Sequence, residues 1–158
     1  MINRLFIAKS GQTHNEWLPL WMHMEDTAGI MKKLLEDFIS DSFAISCGLA
    51  KDNLYNAAVF LAYVHDIGKA TVGFQHKIGT NVPERIEMVE RFIADVACRF
   101  DKSELMKTPH ALASEVILRY FGCSESVAAV AGAHHGVPAE RRDLNDQDIS
   151  HCNNDIVG

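Results

Sequence analysis

Cysteine, proline and long hydrophobic runs are all scarce in this chain, and positive charge is in the minority. Four cysteines, Cys47, Cys98, Cys123 and Cys152, stand far apart. None forms a Cys-x-x-Cys pair, which argues against a zinc ribbon or a redox dithiol. Four prolines and ten glycines exclude a collagen-like, low-complexity or linker-dominated chain. The apolar stretch near the N-terminus, Leu5-Phe6-Ile7-Ala8, is far short of a signal-peptide core or a membrane span. The expectation is a cytoplasmic protein with free thiols, away from membranes. Lys and Arg number 15 against 21 Asp and Glu, a formal net charge of −6. Bulk positive charge therefore does not hold nucleic acid here, although a local basic or metal-charged groove still can.

What is present suits one soluble domain. The chain has 158 residues, 47% apolar and 23% charged, enough to bury a sizeable core. The first residues read as an extended lead-in, and Gly11 to Asn15 as a polar turn. From about Leu18 apolar residues recur at steps of three and four: Leu20, Met24, Thr27, Met31, Leu34 and Phe38. Asp52 or Asn53 is placed to cap a second helix. Its run from Ala57 to Val64 is apolar nearly all round and reads as central and buried, with Gly68 as a left-handed stop. Val82-Pro83 opens an amphipathic helix through Ile86, Val89, Phe92, Ile93 and Val96. Thr108-Pro109 starts another, with His110, Ala113, Ile117 and Phe121 inward and Gly122 at its end. Ser124 or Ser126 caps a last helix from Val127 to His135. No alternating strand is expected. The fold class is all-α, with about five or six helices and a core over about 6–138. Residues 139–158 are polar and are expected to be a tail, or the truncated C-terminal part of a longer domain.

Histidine is unusually frequent, with eight copies. His14, His76 and His151 lie in polar stretches and read as surface residues. The apolar helix ends in His65-Asp66-Ile67-Gly68-Lys69. Adjacent helical side chains diverge by roughly 100°. His65 and Asp66 can therefore meet one ion only where the helix ends and relaxes. The partial negative charge of a helix C-terminus favours a cation there. His134-His135-Gly136 repeats the design after the small residues Ala128, Ala129, Ala131 and Ala133. Taken singly, these motifs have plain explanations. His65-Asp66 serves equally as a buried ion pair, His134-His135 as caps for the last carbonyls, and His23 and His110 as satisfied core histidines. Phe74-Gln75 reads more simply as closing a turn than as lining a groove.

Taken together, four helices deliver six candidate ligands: His23, His65, Asp66, His110, His134 and His135. Six exceed what one tetrahedral zinc takes. They suit two five- or six-coordinate ions sharing a carboxylate. Imidazole-rich, thiolate-free ligation favours Mn, Fe, Co or Ni over Mg.

The string His65-Asp66-Ile67-Gly68-Lys69 resembles the signature of the HD superfamily of metal-dependent phosphohydrolases. The wider string Leu61-Ala62-Tyr63-Val64-His65-Asp66-Ile67-Gly68-Lys69-Ala70, then Phe74-Gln75, is more specific. It resembles the HD nuclease domain of the CRISPR-associated helicase-nuclease of type I interference systems. So do Ala8-Lys9-Ser10, the segment from Trp17 to Ala28 with His23, Pro109-His110-Ala111, and Ala133-His134-His135-Gly136. The resemblance implies an HD-type helical bundle around a metal site. It implies a first metal on His23, His65 and Asp66, and a second on His110, His134 and His135, with Asp66 bridging. It also implies Lys69 beside the scissile phosphate, as a catalytic and substrate-binding residue with Asp66.

Single-stranded DNA is the substrate so implied. A helicase domain, in the same or a separate chain, and an RNA-guided multi-subunit surveillance complex are the partners. A further carboxylate ligand for the first metal is implied from beyond His135. Asp143, Asp146, Asp148 and Asp155 are available, none in a recognisable motif context. Two other readings stay open. One is an HD-type nucleotide phosphohydrolase acting on a small substrate. The other is a catalytically weak docking fragment.

Overall fold

A computed structural model describes residues 6–13, 16–79, 81–82, 85, 87, 90–91, 94 and 109–138. The polar stretch over 139–158, with its four aspartates, lies outside the described residues. So do Thr108, Cys98, Cys152, His14, His151 and most of the helix expected after Val82. The described positions of that helix, Arg85, Glu87, Glu90, Arg91 and Ala94, are helical.

The chain opens with strands β1 (Ile7–Ser10) and β2 (Trp17–Pro19). Helices α1 (Leu20–Phe38), α2 (Asp41–Ser46) and α3 (Lys51–Val64) follow, then a 3₁₀ turn (Ile67–Ala70). Next come α4 (Val72–Gly79), α5 (His110–Tyr120) and α6 (Glu125–Gly132). The fold is mostly helical, as expected, but the lead-in is not mere extended chain. β1 and β2 pair antiparallel, with Ile7 opposite Pro19 and Ser10 opposite Trp17, and the register is irregular between Ile7 and Lys9. Strands this short carry too few alternations for a period-two pattern to stand out in the sequence. The pair is held instead by Gly11 N–H to Glu16 O at 2.6 Å, and by the burial of Ile7 and Ala8.

α1 packs on α3, and α5 packs on α6 and on the 3₁₀ turn. The buried side of α1 is Leu20, Met24, Ala28 and Leu35. Leu34 and Phe38, expected inward, are exposed, Phe38 at 77%. Spacings of three and four permit two adjacent stripes on one helix. Tertiary packing chose the one through the small Ala28.

Among the described helices the most deeply buried is α5, not α3. From Ala113 to Leu118 every residue of α5 is buried. In α3 only Ala62 and Val64 are, while Phe60 and Tyr63 face solvent. Apolar character all round α3 thus marks a helix whose last turn alone enters the core. Phe121, expected inward, is exposed beyond the end of α5. Ala50 is the residue before α3, and Asp52 lies in its first turn. There its charge complements the helix dipole rather than capping. α6 starts at Glu125 after Ser124 and stops at Gly132, so His134 and His135 sit in the turn that follows. One core cluster joins Val64, Leu118, Ala128 and Ala131, and a second joins Ala8, Leu20 and Met24. Asp66 stands two residues after Val64 of the first cluster and four before Ala70, which packs against the second.

Candidate metal centre

The centre begins with how α3 ends. Val64 is its last residue, and His65 keeps helical dihedrals (φ −53°, ψ −37°). Asp66 leaves them (φ −104°, ψ 15°), and the backbone tightens into the 3₁₀ turn. That break swings the Asp66 carboxylate back under the His65 ring, with Nε2 to Oδ2 at 3.2 Å.

Gly68 makes the turn possible by close approach rather than by a left-handed φ. A Cβ on it would stand 1.9 Å from His110 O and 2.6 Å from Ser114 N. The bare backbone of the turn therefore lies directly on α5. Ser114 fastens the contact. Its Oγ accepts from Gly68 N–H at 2.9 Å, and its hydroxyl faces the carbonyls of His65 (2.8 Å) and His110 (3.0 Å).

Gln75 fastens the other side. It donates to Lys69 O (2.6 Å) and Ile7 O (2.9 Å) and accepts from Ile7 N–H (2.9 Å). Gln75 thus closes the turn, as its simpler reading had it, and ties the strand pair to the site. Thr71 Oγ1 donates to Gly68 O at 2.8 Å. Phe74 stacks edge-on against His110 at 5.3 Å.

Four of the five candidate histidines lie against Asp66, and the fifth, His135, lies against His110. His23 Nε2, from α1, donates to Asp66 Oδ2 at 2.7 Å. On the other oxygen, His134 Nε2 is 3.2 Å from Oδ1 and His110 Nε2 is 3.4 Å. His135 Nε2 is 2.9 Å from His110 Nε2. The side chains fall into two groups, His23–His65–Asp66 and His110–His134–His135, each with ligand atoms within 4.8 Å of one another. His76 is exposed, as expected. Lys69, expected to face a phosphate, is buried and places Nζ 2.7 Å from Asp66 Oδ2.

The ring orientations are set from behind. His65 Nδ1 donates to Ala62 O (2.8 Å), and His134 Nδ1 donates to Ala131 O (2.7 Å). A carbonyl only accepts, so each Nδ1 carries a proton; in His134, where burial favours the neutral ring, this leaves Nε2 bare toward Asp66. Burial pushes His134 below its ordinary 6.5, and it pushes His23 down as well. His65 goes the other way, raised chiefly by its hydrogen bond to Asp66. For Asp66, burial works against the charged form. His110, His65 and Lys69 around it outweigh burial and hold the carboxyl well below the usual carboxylate range.

These protonation states leave one conflict. Asp66 Oδ1 and His134 Nε2 are both fully buried, and neither has a hydrogen-bond partner. They are two acceptors facing each other across 3.2 Å. Buried polar atoms without partners cost about 1–3 kcal/mol each. A divalent cation between them resolves the conflict, because both atoms are metal ligands in these states. The donor set of five imidazoles and one carboxylate fits transition-metal ions.

Sequence reasoning singled out the candidate ligands that the fold brings together, but not Ser114. Its only signal was a hydroxyl one turn after His110 on an otherwise apolar inward face.

Comparisons with known proteins bear on this geometry. The family described as Cas3, HD domain, matches residues 8–155. The CRISPR-associated nuclease/helicase Cas3 of Streptococcus thermophilus is 34% identical over 161 aligned positions, which is 92% of this chain. The chain spans 17% of the length of that relative. A solved structure described as a CRISPR-associated protein superposes with a TM-score of 0.70 at 24% identity. It covers 98% of this chain and 19% of its own. That likeness shows the fold.

Proposed function

The chain belongs to the Cas3 HD-domain family, and on that premise we propose that it is a metal-dependent nuclease that hydrolyses phosphodiester bonds of single-stranded DNA in CRISPR interference. The observation that carries the reading is the buried, donorless pair Asp66 Oδ1 and His134 Nε2, ringed by four further imidazoles. On this reading His23, His65 and Asp66 hold one divalent ion. His110, His134 and His135 hold a second, with Asp66 shared. Mn, Fe, Co or Ni suits the imidazoles better than Mg.

Bound there, a pair of divalent cations supplies Lewis acidity to the phosphate and to the attacking water. The chain's own part is to fix that geometry and its charge. Ala62 O and Ala131 O hold two rings in the ligating tautomer. Asp66 stays ionised at working pH, and burial helps keep His23 and His134 unprotonated. Lys69 is the one buried ammonium beside the carboxylate among the described residues, and it is placed to meet the charge of a phosphate.

The net charge of −6 is no obstacle. Two divalent ions bring four positive charges to the site, and the local field decides what binds there. A backbone-tracking groove that is indifferent to base identity suits single strands. Among the described residues no helix is long and apolar enough to cross a membrane. We place the chain in the cytoplasm, working with a helicase domain and an RNA-guided surveillance complex. The helicase in the name of the Streptococcus thermophilus relative supports the first of these partners.

The test is cleavage of a labelled single-stranded oligonucleotide with Mn²⁺, by wild type and by Asp66→Ala. The expected result is cleavage by wild type and a loss of about 10³-fold or more in the variant. Hydrolysis of nucleoside phosphates with indifference to DNA would move the assignment to a small-molecule phosphohydrolase. Undiminished cutting by Asp66→Ala would end it.

A further inference from the structure

The two oxygens of Asp66 keep different company. Oδ2 lies 2.7 Å from His23 Nε2, 2.7 Å from Lys69 Nζ and 3.2 Å from His65 Nε2. Among the ion pairs of the described residues, Oδ1 meets His134 Nε2 and His110 Nε2, at 3.2 and 3.4 Å, with no hydrogen bond to either. One side of the carboxylate already has a cation, the lysine ammonium. The other side has two imidazole nitrogens and no ammonium.

Lys69 is not a surface side chain that wandered in. It is 8% exposed, and its ammonium sits 5.7 Å from the centre of the Phe74 ring. Its backbone is held at both ends. Lys69 N–H donates to Asp66 O at 2.9 Å, and Lys69 O accepts from Gln75 at 2.6 Å. The ammonium can leave Oδ2 only by turning about its own side-chain bonds.

From this asymmetry we propose that Lys69 is a built-in competitor for the His23–His65–Asp66 site, so that the two metal sites load in a fixed order. The first cation goes to His110, His134 and His135 with Asp66 Oδ1, where it meets no resident charge. The second enters on the Oδ2 side only as Lys69 gives up that oxygen. An ammonium and a divalent ion on one carboxylate oxygen repel strongly in a partly desolvated site, so the lysine weakens the second binding step. The inference rests on the two-metal reading above and adds an order and a residue to it. Lys69 acts here through Asp66, as a positioning residue.

The experiment is calorimetric titration of the whole 158-residue chain with Mn²⁺, repeated with Co²⁺ followed by its visible absorption. Wild type is expected to bind in two resolved steps. His135→Ala should remove the tighter step, and His23→Ala should spare it. Lys69→Met should tighten the weaker step by about tenfold or more and leave the tighter step where it was. Lys69→Gln, which keeps a polar head without the charge, should do the same.

Two equal steps in wild type, or loss of the tighter step in His23→Ala, would overturn the order. Wild-type affinities in the folded Lys69 variants would overturn the competition. If both Lys69 variants lose the native circular dichroism spectrum, the lysine is a structural counter-charge and the inference fails. If wild type takes up no metal at all, the two-metal reading fails first and carries this inference with it.

Discussion

At Gly68 one added carbon would collide with two backbone atoms of α5, His110 O at 1.9 Å and Ser114 N at 2.6 Å. Backbone gives way far less readily than a flexible side chain. Gly68→Ala is therefore expected to lower unfolding free energy by at least about 2 kcal/mol in urea titration. Gly29→Ala is the control. Gly29 sits in α1, and a Cβ there meets nothing within 4 Å. It should raise stability by about 0.5–1 kcal/mol through helix propensity. Equal effects at the two glycines would refute the packing argument.

His134 makes a second prediction at this scale. Its pKa is lowered in the fold, so below the ordinary 6.5 the unfolded chain takes up a proton that the folded ring resists. The ring's contribution is then present above 6.5 and is lost as the pH falls through the folded value. The stability gap between wild type and His134→Gln, measured in chelator, should narrow on acidification. A widening gap would mean the ring is protonated in the fold.

Residues of this kind differ in how plainly a sequence displays them. His65-Asp66 and His134-His135 are visible because two ligand types side by side at a helix end are chemically unusual. The contact at Gly68 is invisible there, because it depends on where α5 passes. The sequence suggests a left-handed stop at Gly68, whereas the positive φ values fall at Gly48, Gly122 and Gly136.

Among the elements, the 3₁₀ turn does most to build the site, and α5 holds it in place. Ser114 is the fastening point, since Gly68 N–H has its hydroxyl as partner inside the core. Ser114→Ala strands that N–H and should cost about 1–3 kcal/mol of stability. It should also weaken metal binding, because His65, Gly68 and His110 all meet at this hydroxyl. A variant with unchanged stability would show that water or a shifted backbone serves as well.

α1, α3, α5 and α6 were readable from their period, whereas the short α2 and α4 were not, and depth was legible in none of them. α3 is richer in apolar residues all round, yet α5 is the deeper helix, because its Ala111, Ala113 and Ser114 let neighbouring backbones close on it. The stripe through Leu34 and Phe38 obeys helical spacing and still faces solvent among the described residues. Periodicity names a face and does not say what lies against it. The strand pair escaped for the opposite reason, since its few residues are held by a turn and by Gln75 rather than by a pattern.

Over the whole molecule, the candidate site depends on bringing distant segments to one carboxylate. His23 and Asp66 are 43 positions apart in sequence, and His110 and His135 are 25 apart. The two core clusters, one of α3, α5 and α6 and one of β1 and α1, hold those segments together. On the proposed reading the net charge of −6 is no barrier to an anionic substrate, since metal bound by the imidazoles would set the charge at the site.

The most direct check is anomalous X-ray scattering from crystals of the chain soaked in Mn²⁺. Two peaks are predicted, one against Asp66 Oδ1 with His110, His134 and His135, the other against Oδ2 with His23 and His65. Peaks that avoid Asp66, or a well-ordered site with no manganese among these imidazoles, would contradict the account.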